Sequence, residues 1–126
     1  MEQTDYKLTQ IGIVMLGVRD LARALGFYRD KLGLKLQSEM AGMAFLDAGA
    51  VALCLSEPAL KTRGQPAGAG EIAFRVEDIN ATFHALEAKG IQFTHEPRSL
   101  TPKSWIANFD DPDGNHLSIF GPQSQK

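Results

Sequence analysis

The sequence predicts an α+β domain built from two tandem βαβββ modules, whose mixed sheets curve around a cleft. Three observations carry that prediction: an internal repeat, a matching pair of helix-capping aspartates, and a Gly/Pro/Ala-rich break between the copies. The segment IVMLGVRDLARALGFY, from Ile13 to Tyr28, lies over EIAFRVEDINATFHAL, from Glu71 to Leu86, at a constant spacing of 58 residues.

Each copy opens on a strand. Val14, Leu16 and Val18, and their counterparts Ile72, Phe74 and Val76, recur at every second residue, which places one strand face in a core. Asp20 and Asp78 follow where each strand gives way to a helix, and their carboxylates can accept from the free amides of the first turn. Leu21, Leu25, Tyr28 and Leu32 then keep helical spacing, as do Ile79, Phe83 and Leu86. Gly33 and Gly90 suit the left-handed residue that closes a helix. Further strands are expected at Leu34 to Met40, Met43 to Asp47 and Val51 to Ser56, and in the second copy at Ile91 to Glu96, Ser104 to Phe109 and His116 to Phe120. The stretch EPALKTRGQPAGAG, from Glu57 to Gly70, breaks both periodicities and is expected to be the loop between modules. Module one therefore spans about 9–57, the linker about 58–69 and module two about 70–121, all within one domain. A single βαβββ unit covers only one sheet face with its helix, so the second module is expected to help enclose the other, and a concave apolar cleft is where small molecules bind.

Composition narrows the function classes. A chain of 126 residues with 44% hydrophobic and 22% charged residues is an ordinary globular domain. Its formal charge of −2, without a basic run, argues against nucleic acid as a partner. No apolar stretch approaches the roughly 20 residues of a membrane span, and MEQTDYKLTQ lacks the apolar core of a signal peptide, so a cytoplasmic protein is expected. The single cysteine, Cys54, excludes an intrachain disulfide and a cysteine-based zinc cage.

Three segments, VRDLARALGFYRDKLGLKL from Val18, IAFRVEDINATFHALEAKGI from Ile72 and FDDPDGNHLSIF from Phe109, resemble the vicinal oxygen chelate superfamily of glyoxalases, bleomycin-resistance proteins and dioxygenases. The likeness covers nearly the whole chain. It implies the paired-module fold, and it leaves the activity open because this scaffold hosts isomerisation, ring cleavage, thiol transfer and drug sequestration. Metal-dependent members place His, Gln or Glu ligands on the first and fourth strand of each module. Carried over, those positions fall on Ile13, on Ala52 or Cys54, on Glu71 and on Ser118. Only Glu71 is a ligand of the expected kind, so neither a metal nor another cofactor is expected.

Strand alternation turns Ile72, Phe74 and Val76 toward the helix, and hence Glu71 and Arg75 toward the cleft. Glu71 is then a candidate base or acceptor, and Arg75 a candidate partner for an anionic ligand group. By the same parity His116, Ser118 and Phe120 face the cleft, where His116 is a candidate acid or base. Ile13, Met15, Cys54 and Trp105 complete the expected lining, with Phe45 as a further aromatic wall; Cys54 has no cationic neighbour in sequence to activate it. The favoured reading is a metal-independent small-molecule-binding or sequestration protein, acting as a homodimer. The alternative is a metal-dependent lyase, isomerase or dioxygenase with a degenerate site, using Glu71 and His116.

Overall fold

The computed structural model describes residues 11–63 and 71–123. Module one forms a four-stranded sheet in the order β1-β4-β3-β2, from β1 (Ile13–Gly17), β2 (Lys35–Met40), β3 (Met43–Ala48) and β4 (Val51–Ser56). Module two repeats it as β5-β8-β7-β6, from β5 (Glu71–Arg75), β6 (Arg98–Thr101), β7 (Ser104–Asp110) and β8 (His116–Gly121). In each sheet the first strand lies parallel to the fourth and the remaining pairs are antiparallel. Both sheets are thus mixed, and the expected βαβββ pair is present.

Local chemistry explains the joints. Asp20 and Asp78 hold extended backbone ahead of α1 (Leu21–Leu25) and α3 (Ile79–Ala88). The Asp20 carboxylate accepts from the Arg23 amide, and that of Asp78 accepts from the amides of Asn80 and Ala81. Gly33 and Gly90 adopt φ of 84° and 93°, where a Cβ would be strained.

Three elements depart from expectation. The first helix widens after Leu25 into a π-helical segment, Gly26–Lys31, closed by the Leu32 amide donating to the Phe27 carbonyl at 3.0 Å. This wider turn lets the sequence neighbours Phe27 and Tyr28 both enter the core. The strand expected at Ile91 to Glu96 shrinks to a single bridge between Phe93 and Phe109, and the ladder forms later, at β6. Pro97 donates no amide, and Ile91 and Phe93 pack into the interior instead. Finally, the expected loop begins with a helix, α2 (Glu57–Arg63), whose second residue is Pro58, a favoured residue in a first turn. Its Glu57 Oε2 accepts from the Leu21 amide at 2.7 Å, which ties α2 to the start of α1. The rest of the expected loop, 64–70, lies outside the described residues.

The helix-side faces of the two sheets pool into one core. Leu46, Leu53 and Leu55 of module one share it with Leu117, Ile119 and Phe109 of module two. Phe27 of module one meets Phe109 of module two at 6.3 Å between centroids, and the ring cluster continues inside module two from Phe109 to Phe93 at 5.1 Å and from Phe93 to Phe83 at 4.5 Å.

A buried polar lock closes the seam. Tyr28, in the π-helical segment, donates its hydroxyl to Asp111 Oδ2 at 2.7 Å. Burial and the neighbouring Asp111 carboxylate hold the Tyr28 phenol far above its ordinary pKa, so it remains the donor. Asp113 accepts from the Arg19 amide and the Arg23 guanidinium, each at 3.1 Å. The Asn115 side-chain amide donates to the Gly17 carbonyl at 3.3 Å. The turn DPDGN between β7 and β8 is therefore an inter-module clasp. No helix among the described residues is long and apolar enough to cross a membrane.

Candidate functional site

Side chains directly opposite in a ladder share a sheet face, so strand register maps the open face of each sheet, the one turned away from its helix. In module one the rows are Ile13–Ala52–Asp47–Lys35 and Met15–Cys54–Phe45–Ser38, followed by Met43 beside Met40. Apart from Asp47, Lys35 and Ser38 toward the β2 edge, this face is apolar, and it carries Met15, Met40 and Met43. Ile13, Met15 and Met40 stay 53%, 48% and 55% exposed.

Module two presents a polar face in three rows. Glu71, His116 and Asp110 form the first; Ala73, Ser118 and Asn108 the second; Arg75, Phe120, Ile106 and Arg98 the third. In the first row His116 Nδ1 lies 2.8 Å from Asp110 Oδ1, and a carboxylate only accepts, so the ring nitrogen is the donor. That hydrogen bond first, and then the Asp110 charge, raise the His116 pKa, with Glu71 and Asp111 adding to the effect. In the second row Asn108 Oδ1 lies 2.7 Å from His95 Nε2, while the His95 Nδ1–H donates to the Glu96 carbonyl. The Ser118 side chain is fully buried and its Oγ has no hydrogen-bond partner among the described residues. In the third row the Arg75 guanidinium carbon stands 5.3 Å from the centroid of the Phe120 ring, a cation–π distance.

The expected residues separate into two groups. Glu71, Arg75, His116, Ser118 and Phe120 gather on the open face of module two, and Ile13, Met15 and Cys54 gather with Phe45 on that of module one. The inter-module contacts run through the helix faces and the DPDGN clasp, so the two groups are not joined by the bonds that tie the modules together. Trp105, expected in the cleft, stands on the helix-side face instead, opposite Gly121 and packed against the core. Its neighbour Ile106 takes the open-face position, because β7 aligns Asp110 with His116 across the DPDGN turn and every parity follows from that pairing.

Asn108, Asp110, Arg98 and the ring of His95 join the open face without having been singled out from sequence. The turn length was the missing signal: a hairpin closed by DPDGN sets Asp110 against His116, which assigns Asn108 and Ile106 to the same face. A separate cavity of about 450 Å³ opens at the module seam, lined by Phe27, Lys31, Ile91, Phe93 and Pro112 among others.

The register also resolves where the fourth-strand position of module one lies. Met15 and Ala73 are repeat equivalents, and they pair with Cys54 and Ser118 respectively. Cys54 is therefore the counterpart of Ser118. The four positions Ile13, Cys54, Glu71 and Ser118 fit a divalent metal poorly, since Ile13 has no donor and a serine hydroxyl is a weak ligand. Burial raises the pKa of the Cys54 thiol, which disfavours the thiolate a metal would bind. No group of three or more His, Cys, Asp or Glu among the described residues is arranged to hold an ion.

The His116–Asp110 pair makes a direct prediction. The imidazole is expected to titrate above the unperturbed value of about 6.5, and the Asp110→Asn variant to bring its midpoint back toward that value. The pair's small contribution to stability is present below the unfolded-state pKa and fades as pH rises through the raised folded-state value. Proton NMR titration of the ring resonances reads the midpoint directly; one at or below about 6.5 in the unmodified protein would contradict the assignment.

Comparison with known proteins gives the family. The sequence model of the Glyoxalase/Bleomycin resistance protein/Dioxygenase superfamily matches residues 10–119. The uncharacterized protein YraH of Bacillus subtilis (strain 168) is 30% identical, the alignment covering 90% of this chain and 97% of that one. Lactoylglutathione lyase of Haemophilus influenzae is 32% identical over 93% of this chain and 96% of its own. Among solved structures, TnmS3, an antibiotic binding protein from Streptomyces sp. CB03234, superposes with a TM-score of 0.78 at 22% identity, covering 94% of this chain and all of that one.

Proposed function

The chain belongs to the Glyoxalase/Bleomycin resistance protein/Dioxygenase superfamily, and from that premise we propose that it is a small-molecule-binding protein that works without a metal. One observation carries this reading: of the four positions where a metal-dependent member would place its ligands, only Glu71 has the expected chemistry, while the face around it remains built for contact. Glu71, His116 and Asp110 offer acceptors and a titratable donor at one end, and Arg75 and Phe120 a cation and an aromatic ring at the other. Such a mixture orients a polar ligand with apolar parts.

The binding cleft in this reading forms between two copies of the chain. The exposed apolar face of Ile13, Met15 and Met40 in one protomer covers the polar face of module two in its partner. Large apolar side chains exposed at both edges of one sheet face favour such an assembly, and the arrangement joins the two groups of candidate residues that one chain keeps apart. A relative of the same fold, TnmS3, is an antibiotic binding protein, which makes sequestration a coherent role for the cleft.

Native mass spectrometry of protein purified without chelator or metal-binding tag tests both statements. The expected species is a dimer at twice the 13.7 kDa chain mass with no added metal, unchanged after incubation with Fe, Mn, Ni or Zn salts. Near-stoichiometric metal would overturn the reading in favour of a lyase or dioxygenase built on Glu71 and His116. A monomer at micromolar concentration would overturn the shared cleft.

A further inference from the structure

The five arginines whose side chains are described divide into two kinds. Arg19 and Arg23 pair with Asp113, and Arg29 pairs with Asp30. Arg75 and Arg98 make no ion pair or hydrogen bond among the described residues, although both guanidinium groups are long, costly to leave without an acceptor in a covered site, and exposed in the chain. They also occupy the same row of the same sheet face. Arg75 is in register with Phe120, Phe120 with Ile106, and Ile106 with Arg98, so a cation closes each end of a floor made by one aromatic and one branched apolar side chain. Four strands at about 4.8 Å spacing put the outer Cα atoms about 14 Å apart, a span that both guanidinium arms can reach across toward a ligand lying on the floor.

A second, independent feature points the same way. Ser118 sits two residues before Phe120 on β8, hence about 7 Å along the strand on the same face. Its fully buried Oγ lacks a partner among the described residues, which is an unsatisfied polar atom beside the arginine row.

We propose that the Arg75–Phe120–Ile106–Arg98 row is an anion subsite for a flat, aromatic anion, which lies on Ile106 beside the Arg75–Phe120 stack and places its charge between the two guanidinium groups, with Ser118 Oγ buried beneath it. This rests on the binding reading above and narrows it to a ligand class. Planar guanidinium groups suit both carboxylate and phosphate, and they stack on aromatic faces where an ammonium would not. The acidic end of the same face, Glu71 with Asp110, repels an anion placed in the reverse orientation, so the charge pattern also sets the direction in which the ligand lies.

The test uses two dyes with one skeleton, the anionic 8-anilinonaphthalene-1-sulfonate and the neutral N-phenyl-1-naphthylamine, titrated into the full-length protein by fluorescence. The anionic dye is expected to bind at least about tenfold more tightly than the neutral one. Arg75→Gln and Arg98→Gln are each expected to weaken the anionic dye about tenfold while leaving the neutral dye unchanged, and Arg75→Lys to weaken it less than Arg75→Gln does. Both positions are exposed, so circular dichroism melting should confirm that the variants fold as the parent does. Displacement of the anionic dye by benzoate identifies a carboxylate ligand and displacement by phenyl phosphate a phosphate; displacement by neither overturns the proposal. Equal affinity for the two dyes, or an unchanged anionic affinity in either glutamine variant, overturns the subsite while leaving the apolar cleft standing. Failure of both dyes to bind the unmodified protein overturns the subsite and the cleft together.

Discussion

Asp111→Ala is expected to lower the free energy of unfolding by about 3–5 kcal/mol, the range for removing one partner from a buried charged network. This carboxylate is 5% exposed and accepts four hydrogen bonds. Oδ1 takes the amides of Asp113 and Asn115 at 2.9 and 2.8 Å, and Oδ2 takes the Asn115 side-chain amide at 2.8 Å and the Tyr28 hydroxyl at 2.7 Å. Alanine would remove the acceptor these four bonds share, and a buried donor left unsatisfied costs about 1–3 kcal/mol. The Tyr28 hydroxyl suffers most, since its residue is fully buried and water does not reach it in the native packing. Tyr28→Phe removes only one of the four bonds and leaves no stranded donor, so its cost should stay near about 1–2 kcal/mol. Urea unfolding of the two variants checks the ordering. A loss below about 1 kcal/mol in Asp111→Ala would mean that the turn is not a clasp between modules.

Gly121→Ala is the second large expected loss, of about 3 kcal/mol or more, at the upper end of the cost of overfilling a packed interior. A Cβ at Gly121 would lie 2.2 Å from the Val76 carbonyl oxygen, with the Val76 carbonyl carbon and Cγ2 both at 3.1 Å. The obstruction is backbone, so no side-chain rotation relieves it. Relief would part β8 from the chain that leaves β5, where the Val76 amide donates to the Phe120 carbonyl at 2.9 Å. The change should therefore disturb Phe120 and its neighbour Arg75 as well as stability. Calorimetric or urea unfolding reads the first effect. A variant within about 0.5 kcal/mol of the parent would show that the two segments separate freely.

These two positions also show where sequence reading stops. The repeat was legible because each copy carries its own strand, cap and helix, and each of those signals is local: Asp20 and Asp78 cap as their positions require. The open-face parity of Glu71, Arg75, His116, Ser118 and Phe120 was legible for the same reason, since β5 and β8 are regular strands with clear alternation. Trp105 was not, because the parity of β7 is anchored across the hairpin rather than within the strand. Asp111 and Gly121 lay further out of reach. The partner of Asp111 is Tyr28, 83 residues earlier in the chain, and nothing near Gly121 marks a glycine pressed against another strand's carbonyl. The π-helical widening at Gly26–Lys31 escaped because the apolar spacing around it satisfies an ordinary helix equally well. Arg98 escaped through the misplaced strand: with pairing expected at Ile91 to Glu96, the residue fell outside any face at all.

The clasp has a bearing on how the protein comes to exist in a cell. Its acceptors, Asp111 and Asp113, belong to the last hairpin of module two, and their donors, Arg19, Arg23 and Tyr28, to the first strand-to-helix stretch of module one. During synthesis the amino-terminal module emerges with its tyrosine hydroxyl and its share of the pooled core still unmet. It must wait for the final hairpin to leave the ribosome before either is satisfied. Two copies of one motif thus make a single act of folding, completed from the carboxyl end.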